Sequence, residues 1–194
     1  RAVYAQQVHS ADVRIAHAAD AQPPEHEPRF TCDGFVTNEP DVPLAVFMAD
    51  CLPALLHDPA AGVIGAVHCG WRGSVADILG AAVAQMCALG AHPADIRAAI
   101  GPGIGACCFE VGPEVVAAAE ALLHEPLGAL VRPTAGDRAL LDLKGVNALR
   151  LTQLGVPAEQ IAVSDACTMC RPDVFWSHRA TDGRRGVQAA VITL

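Results

Sequence analysis

No stretch of this chain approaches the ~18 consecutive apolar residues that a membrane-spanning helix needs, which excludes that architecture. The opening Arg1-Ala2-Val3-Tyr4-Ala5-Gln6 lacks the apolar core of a secretion signal. Positive charge is in short supply: 13 Lys and Arg against 21 Asp and Glu leave a net charge of −8. That balance argues against nucleic acid or an anionic membrane surface as the main partner. Aromatic residues are scarce at 4%, so the 52% apolar share rests on Ala, Val, Leu and Ile. Eight cysteines in 194 residues fall well below the density of a disulfide scaffold, and a reduced, cytoplasmic setting is expected. Internal repeats and low-complexity tracts are absent.

What remains is enough for one domain, over residues 1–194, with a full hydrophobic core. The first residue is not Met and the chain opens in a strand-like segment, so a further N-terminal stretch is expected upstream. The apolar runs predict strands over Ala2–Val8, Gly34–Thr37, Leu44–Met48, Leu52–Leu56, Val63–Val67, Ile96–Ile100, Ile161–Val163 and Val187–Ile192. Asp58-Pro59-Ala60-Ala61-Gly62 lies between two such runs and predicts a hairpin. The run from Ala16 to Phe30, with three prolines and three acidic residues, reads as a surface loop. One helix is expected from Ser74 to Leu89, capped by Ser74 and Asp77, with Val75, Ile78, Leu79, Val83 and Met86 as its buried stripe. Two more are expected from Pro113 and from Asp142 to Leu154. The alternation gives an α/β class, and the hairpin makes the sheet mixed rather than purely parallel.

Chemistry concentrates in three residues. His9 closes Gln6-Gln7-Val8-His9, Cys51 closes Met48-Ala49-Asp50-Cys51, and His68 follows the apolar run ending at Val67. Each stands at the exit of a strand-like stretch, where side chains from different strands converge. Two imidazoles and a thiolate suit zinc, and three protein ligands leave a coordination position open. The competing reading is that a His or Cys in an apolar context is a plain core residue. That reading is adopted for His17, His26, His57, His92 and His124. Asp50 is a candidate general base, or a partner that orients the neighbouring ligand. Arg72, four residues after His68, could grip a phosphate or ribose oxygen, or form an ordinary salt bridge.

Two further motifs are weaker. Cys167-Thr168-Met169-Cys170 is a single C-x-x-C without a second pair at ribbon spacing, and a structural or site-lining role is favoured. Gly101-Pro102-Gly103-Ile104-Gly105-Ala106 superficially matches a dinucleotide fingerprint, but no helix opens directly after it. It reads as a tight turn whose N–H groups approach a site, either as a nest for an anion or as a turn alone.

Taken in order, these segments resemble the YfiH family, also called the laccase-domain or multicopper polyphenol oxidase family. The resemblance rests on Gln7-Val8-His9, Ala49-Asp50-Cys51-Leu52-Pro53 and His68-Cys69-Gly70-Trp71-Arg72-Gly73. It extends through Ile100 to Gly105, Phe109-Glu110-Val111-Gly112, Cys167-Thr168 and Phe175-Trp176-Ser177-His178-Arg179. It implies a four-layer α/β/β/α sandwich and a metal held by His9, Cys51 and His68. It also implies purine nucleoside chemistry: phosphorolysis of adenosine, inosine, guanosine or methylthioadenosine, and deamination of adenosine. The expected partners are purine nucleosides and phosphate, with the chain a monomer or small homo-oligomer.

The family's alternative reading is a copper-dependent polyphenol oxidase. That chemistry needs a mononuclear copper and a three-copper cluster, usually built from paired His-x-His motifs, and the eight histidines here include no His-x-His. A zinc site fits the ligand set better. A third reading is a non-catalytic metal-binding or redox-sensing domain using the cysteines. The chain departs from the family pattern in lacking an N-terminal segment, in Cys69 where Ala is usual, and in the 178–187 loop. The first departure predicts metal binding with poor turnover if the segment supplies site residues. Cys69 places an extra thiol beside the metal, and the 178–187 loop loses one arginine of the anion-binding pattern and displaces another.

Overall fold

The computed structural model describes residues 1–194. In chain order it has β1 (Val13–Ile15), β2 (Gly34–Thr37), β3 (Leu44–Met48), β4 (Leu52–Asp58) and β5 (Val63–Cys69). Helices α1 (Trp71–Val75) and α2 (Ile78–Ala88) follow, then β6 (Arg97–Ile100), β7 (Glu110–Val111), α3 (Pro113–Leu123), β8 (Val131–Pro133) and β9 (Ala139–Leu141). The chain ends with α4 (Leu143–Gln153), β10 (Ile161–Val163) and β11 (Gln188–Ile192). A six-stranded sheet runs in the order β1-β2-β5-β4-β6-β10. Its centre is antiparallel and its two edge pairs, β1 with β2 and β6 with β10, are parallel. The class is therefore α/β with a mixed sheet. The expected hairpin joins β4 to β5, and the Asp58 carboxylate ties its turn by accepting from the N–H groups of Ala60 and Ala61, both at 2.9 Å.

Strand β5 is buried along its whole length because it is covered on both faces. Side chains alternate across a strand. Val63, Val67 and Cys69 therefore join the larger core, to which all the buried apolar residues of α2, α3 and α4 belong. Ile64 and Ala66 point the other way, into a second core shared with Leu44, Val46 and Met48 of β3. There β3 pairs antiparallel with β11 as a separate two-stranded sheet. The layers are thus helices, six-stranded sheet and two-stranded sheet, with β7, β9 and β8 pairing as a small third sheet. The alternation also decides where His68 goes: with the parity of Ile64 and Ala66, it faces the β3–β11 side.

Some expectations need correcting. Ala2–Val8 is not a strand; it meets Gln22, Leu44 and Thr31 through single bridges, and three different partners cannot form one ladder. The helix expected from Ser74 is two helices. Asp77 adopts φ +65°, ends α1, and caps α2 by accepting from Gly80 N–H. Arg150 of α4 then holds the same carboxylate with both Nε (2.8 Å) and Nη2 (2.6 Å). Removing this cap and partner together, as in Asp77→Ala, is expected to cost about 1–2 kcal/mol, read as a melting point lower by roughly 2–8 °C. Asp77→Asn keeps the cap and tolerates the left-handed backbone, so it should lose less than half of that.

Candidate functional site

The three metal candidates meet. One ligand atom from each of His9, Cys51 and His68 lies within 4.8 Å of the others. The His9 Nε2 is 3.7 Å from Cys51 Sγ, and the two imidazoles stand edge to face with centroids 4.9 Å apart. The elements explain the convergence. His68 is the penultimate residue of β5, and Cys51 follows the β3 strand in the turn that leads into β4. His9 lies in an extended segment fixed to β3 by Gln7, whose amide donates to Phe47 C=O and accepts from Phe47 N–H, both at 2.7 Å. Gly70 leaves the room: a Cβ there would sit 2.8 Å from the His9 ring and 3.1 Å from the Cys51 sulfur.

A residue not singled out in the sequence organises the group. Asp33, fully buried, accepts from the N–H groups of Val8 (3.1 Å), His9 (2.9 Å) and Ser10 (2.7 Å), and from the Ser10 hydroxyl (2.9 Å). Three successive N–H groups round one carboxylate form a nest, and they hold His9 at φ +62°, a strained setting for a non-glycine residue. The same carboxylate lies 2.8 Å from His68 Nδ1. That bond places the Nδ1 proton on the Asp33 side and turns Nε2 toward the site. One acid thus sets both histidines. Burial raises the Asp33 carboxyl, but hydrogen bonds from His68, Ser10 and His9 outweigh it and hold it at about 2. Burial likewise pushes the Cys51 thiol up, while the His68 and His9 rings pull it down to about 7. For His68, burial favours the neutral ring, but Asp33 and Cys51 raise it to about 9.

The triad opens into a cavity of about 570 Å³, within the range of small-molecule sites. Phe47, Trp71, Ile104 and Phe109 give it apolar walls, and Arg72, Arg179, Arg185 and His178 bring polar groups. Arg72 makes no ion pair, and its guanidinium lies 4.4 Å from the Trp71 ring centroid. Asp50 reaches the cavity wall at φ +84°, with both carboxylate oxygens engaged: one accepts from the Thr168 hydroxyl (2.6 Å), the other from Arg179 N–H (2.7 Å). These bonds favour the orienting role over the general base.

Three other expectations resolve differently. Cys69 is not beside the metal candidates; the strand alternation turns it into the helix-side core, where burial raises its thiol pKa. The 101–106 turn is not an anion nest. Gly101 N–H donates to Pro53 C=O, Ile104 N–H to Asp50 C=O and Gly105 N–H to Cys167 Sγ. Its role is packing: a Cβ on Gly103 would lie 2.8 Å from the Asp50 carbonyl. The 178–187 loop, for all its departure from the family pattern, still delivers two arginines to the cavity.

A family model described as multi-copper polyphenol oxidoreductase laccase matches residues 1–194. The purine nucleoside phosphorylase YlmD of Bacillus subtilis is 41% identical over 157 residues, which cover 79% of this chain and 55% of that protein. An adenosine deaminase named RL5, from an unknown prokaryotic organism, is 40% identical over 147 residues, covering 76% of this chain and 56% of the other. The chain therefore spans little more than half the length of these two relatives. The crystal structure of the hypothetical protein YfiH of Bacillus licheniformis superposes with a TM-score of 0.94 at 33% identity, over 99% of this chain and 73% of that one. No helix here is long and apolar enough to cross a membrane. With the family model spanning every residue and the fold shared with YfiH, this chain belongs to the laccase-like YfiH family of multi-copper polyphenol oxidoreductase laccase proteins.

Proposed function

We propose that residues 1–194 act as one domain of a zinc-dependent purine nucleoside enzyme. It would cleave adenosine, inosine, guanosine or methylthioadenosine by phosphorolysis, and deaminate adenosine. The observation that carries this reading is the opening of three convergent ligand atoms into one cavity that also holds aromatic walls and three arginines. The names of the YlmD and RL5 relatives point to the same two activities. The donor set suits zinc: two imidazoles, one of them oriented by a carboxylate, and a thiol already drawn to about 7. When bound by His9, Cys51 and His68, zinc supplies a Lewis acid with a vacant position.

The chain's own residues do the rest. Phe47, Trp71 and Phe109 offer faces on which a purine can lie. Arg72, Arg179 and Arg185 hold phosphate against the ribose, so that a phosphate oxygen bonds to C1′ as the bond from C1′ to the base breaks. The base leaves with the electron pair and takes a proton, for which His178 is the imidazole exposed at the cavity. In deamination, water adds at C6 and ammonia leaves. Asp50 keeps Thr168 and the Arg179 backbone in place behind the ligand Cys51.

Copper-dependent phenol oxidation, which the family description names, would have only the imidazoles of His9, His68 and His178 at this cavity. The test is chromatography of adenosine incubated with and without phosphate, alongside zinc and copper analysis. Adenine released only with phosphate, or inosine formed without it, supports the proposal. Neither product, or phenol oxidation with copper loading, defeats it. Arg72→Ala should raise the KM for phosphate by about tenfold or more, the loss of one charge-assisted contact of about 1.5–3 kcal/mol. Unchanged phosphate kinetics would take Arg72 out of that role.

A further inference from the structure

Four of the seven cysteines that the proposed activity does not use come together. Cys107 and Cys108, adjacent in the turn after Gly105, meet Cys167 and Cys170 of the C-x-x-C segment, and all four sulfurs lie within 4.8 Å of one another. The Cys170 sulfur is 3.6 Å from that of Cys107 and 3.4 Å from that of Cys108, and none of the four is in a disulfide. Four thiolates round one zinc at about 2.3 Å occupy the corners of a tetrahedron with edges of about 3.8 Å, close to these separations. The sulfurs are too close together for a multi-iron cluster, whose cysteines bind separate irons.

The surroundings suit a negatively charged thiolate group. Gly105 N–H donates to Cys167 Sγ at 3.2 Å. Lys144 is buried, and its ammonium donates to the carbonyls of Ser164 (2.8 Å) and Ala166 (2.7 Å), immediately before Cys167 in the chain. Lys144 makes no ion pair, and with Asp142 and Asp165 nearby its charge also faces Cys107 and Cys167, beside a site whose four thiolates outweigh a divalent ion by two charges. Binding would convert four thiols to thiolates and release their protons to solvent.

We infer that Cys107, Cys108, Cys167 and Cys170 form a second, structural metal site for one thiophilic divalent ion, zinc by ligand type and geometry. Four protein ligands leave no open position, so this ion stabilises rather than reacts. It would staple two segments 60 residues apart that both serve the cavity. One carries Ile104 and Phe109 of its wall, and the other carries Thr168, which holds Asp50. The inference does not depend on the nucleoside chemistry at the first site.

The experiment measures metal in protein kept reduced. Wild type is expected to hold about two zinc ions per chain, and both Cys51→Ala and the double variant Cys167→Ser/Cys170→Ser about one each. The deciding sample, which does not depend on the double variant folding, is Cys51→Ala loaded with cobalt(II). Its intense sulfur-to-cobalt charge-transfer absorption and tetrahedral ligand-field bands would belong to the four-cysteine site alone. About one zinc in wild type, or no thiolate–cobalt spectrum in Cys51→Ala, overturns the inference, as does a disulfide among these four cysteines in freshly isolated protein. None of these outcomes bears on whether the first site turns over nucleosides.

Discussion

Cys51→Ala protein should fold, bind zinc at the His9–His68 site more than ~100-fold more weakly, and lose nucleoside turnover in proportion. Even partners that merely orient a ligand are worth 10–100-fold in affinity, so loss of a thiolate ligand should exceed that. The half-buried sulfur lies in a loop against the smaller core, and its removal should cost about 1 kcal/mol or less in metal-free protein. The pH dependence provides a second readout. Zinc must displace a proton from His68, raised to about 9, and below pH 7 also from Cys51, lowered to about 7. In wild type, affinity should therefore climb about tenfold per pH unit from 7 to 9 and about a hundredfold per unit or more below 7. In Cys51→Ala the lower limb should flatten to about tenfold per unit. Competition against a chelator across this range measures both slopes. Full metal retention in Cys51→Ala, or affinity indifferent to pH, would refute the ligand assignment.

Asp33→Ala should be the most destabilising single change in the site, by about 3–5 kcal/mol or roughly 10 °C in melting temperature. It strips partners from the N–H groups of Val8, His9 and Ser10 and from His68 Nδ1. It also frees His9 from its strained backbone and His68 from its fixed tautomer, so zinc affinity should fall 10–100-fold in whatever protein remains folded. The milder Asp33→Asn isolates the charge. The Asp33 carboxyl is held at about 2 in the fold against an ordinary 3.8. A carboxyl depressed on folding contributes stability that is present above its unfolded value and lost as pH falls through its folded value. Wild type should thus shed about 2 kcal/mol between pH 4 and pH 2, and Asp33→Asn should lack that acid limb. Urea titrations at closely spaced pH values distinguish the two proteins. Superimposable acid limbs would mean the carboxylate has no such hold.

The parts of this site that could be read from the chain are those announced locally. His68 ends the apolar run of β5, Cys51 follows β3, and His9 ends a segment that Gln7 fastens to β3, so the three meet at one end of the sheets. Asp33 carries no such mark: it sits between Cys32 and Gly34, and its worth comes entirely from segments 23 to 35 residues away. The nearest clue is an acid placed directly before a strand whose four residues are all buried. Asp77 misled because its neighbours keep a helical rhythm, while its own left-handed backbone interrupts it. Strands β1, β7, β8 and β9 have two or three residues each, too few to display alternation. The cysteine pairs were visible singly, but nothing in their spacing tied 107–108 to 167–170. Arg179 and Arg185 are more than 100 residues from the metal candidates, and only the return of β11 against β3 carries them to the cavity.

That return has a consequence for how the molecule can vary. The three proposed ligands of the first ion lie within the first 70 residues, whereas Arg179, Arg185 and Val187 of the cavity wall arrive from the far end of the chain, moored beside β3 by one antiparallel pairing. Under the proposed function, the ligands of that ion and part of the wall that faces its substrate therefore come from separate stretches of polypeptide. Exchanging side chains between Phe175 and Val187 for those of relatives is therefore expected to alter nucleoside preference more than metal affinity, as long as Arg179 N–H keeps its bond to Asp50 beside Cys51.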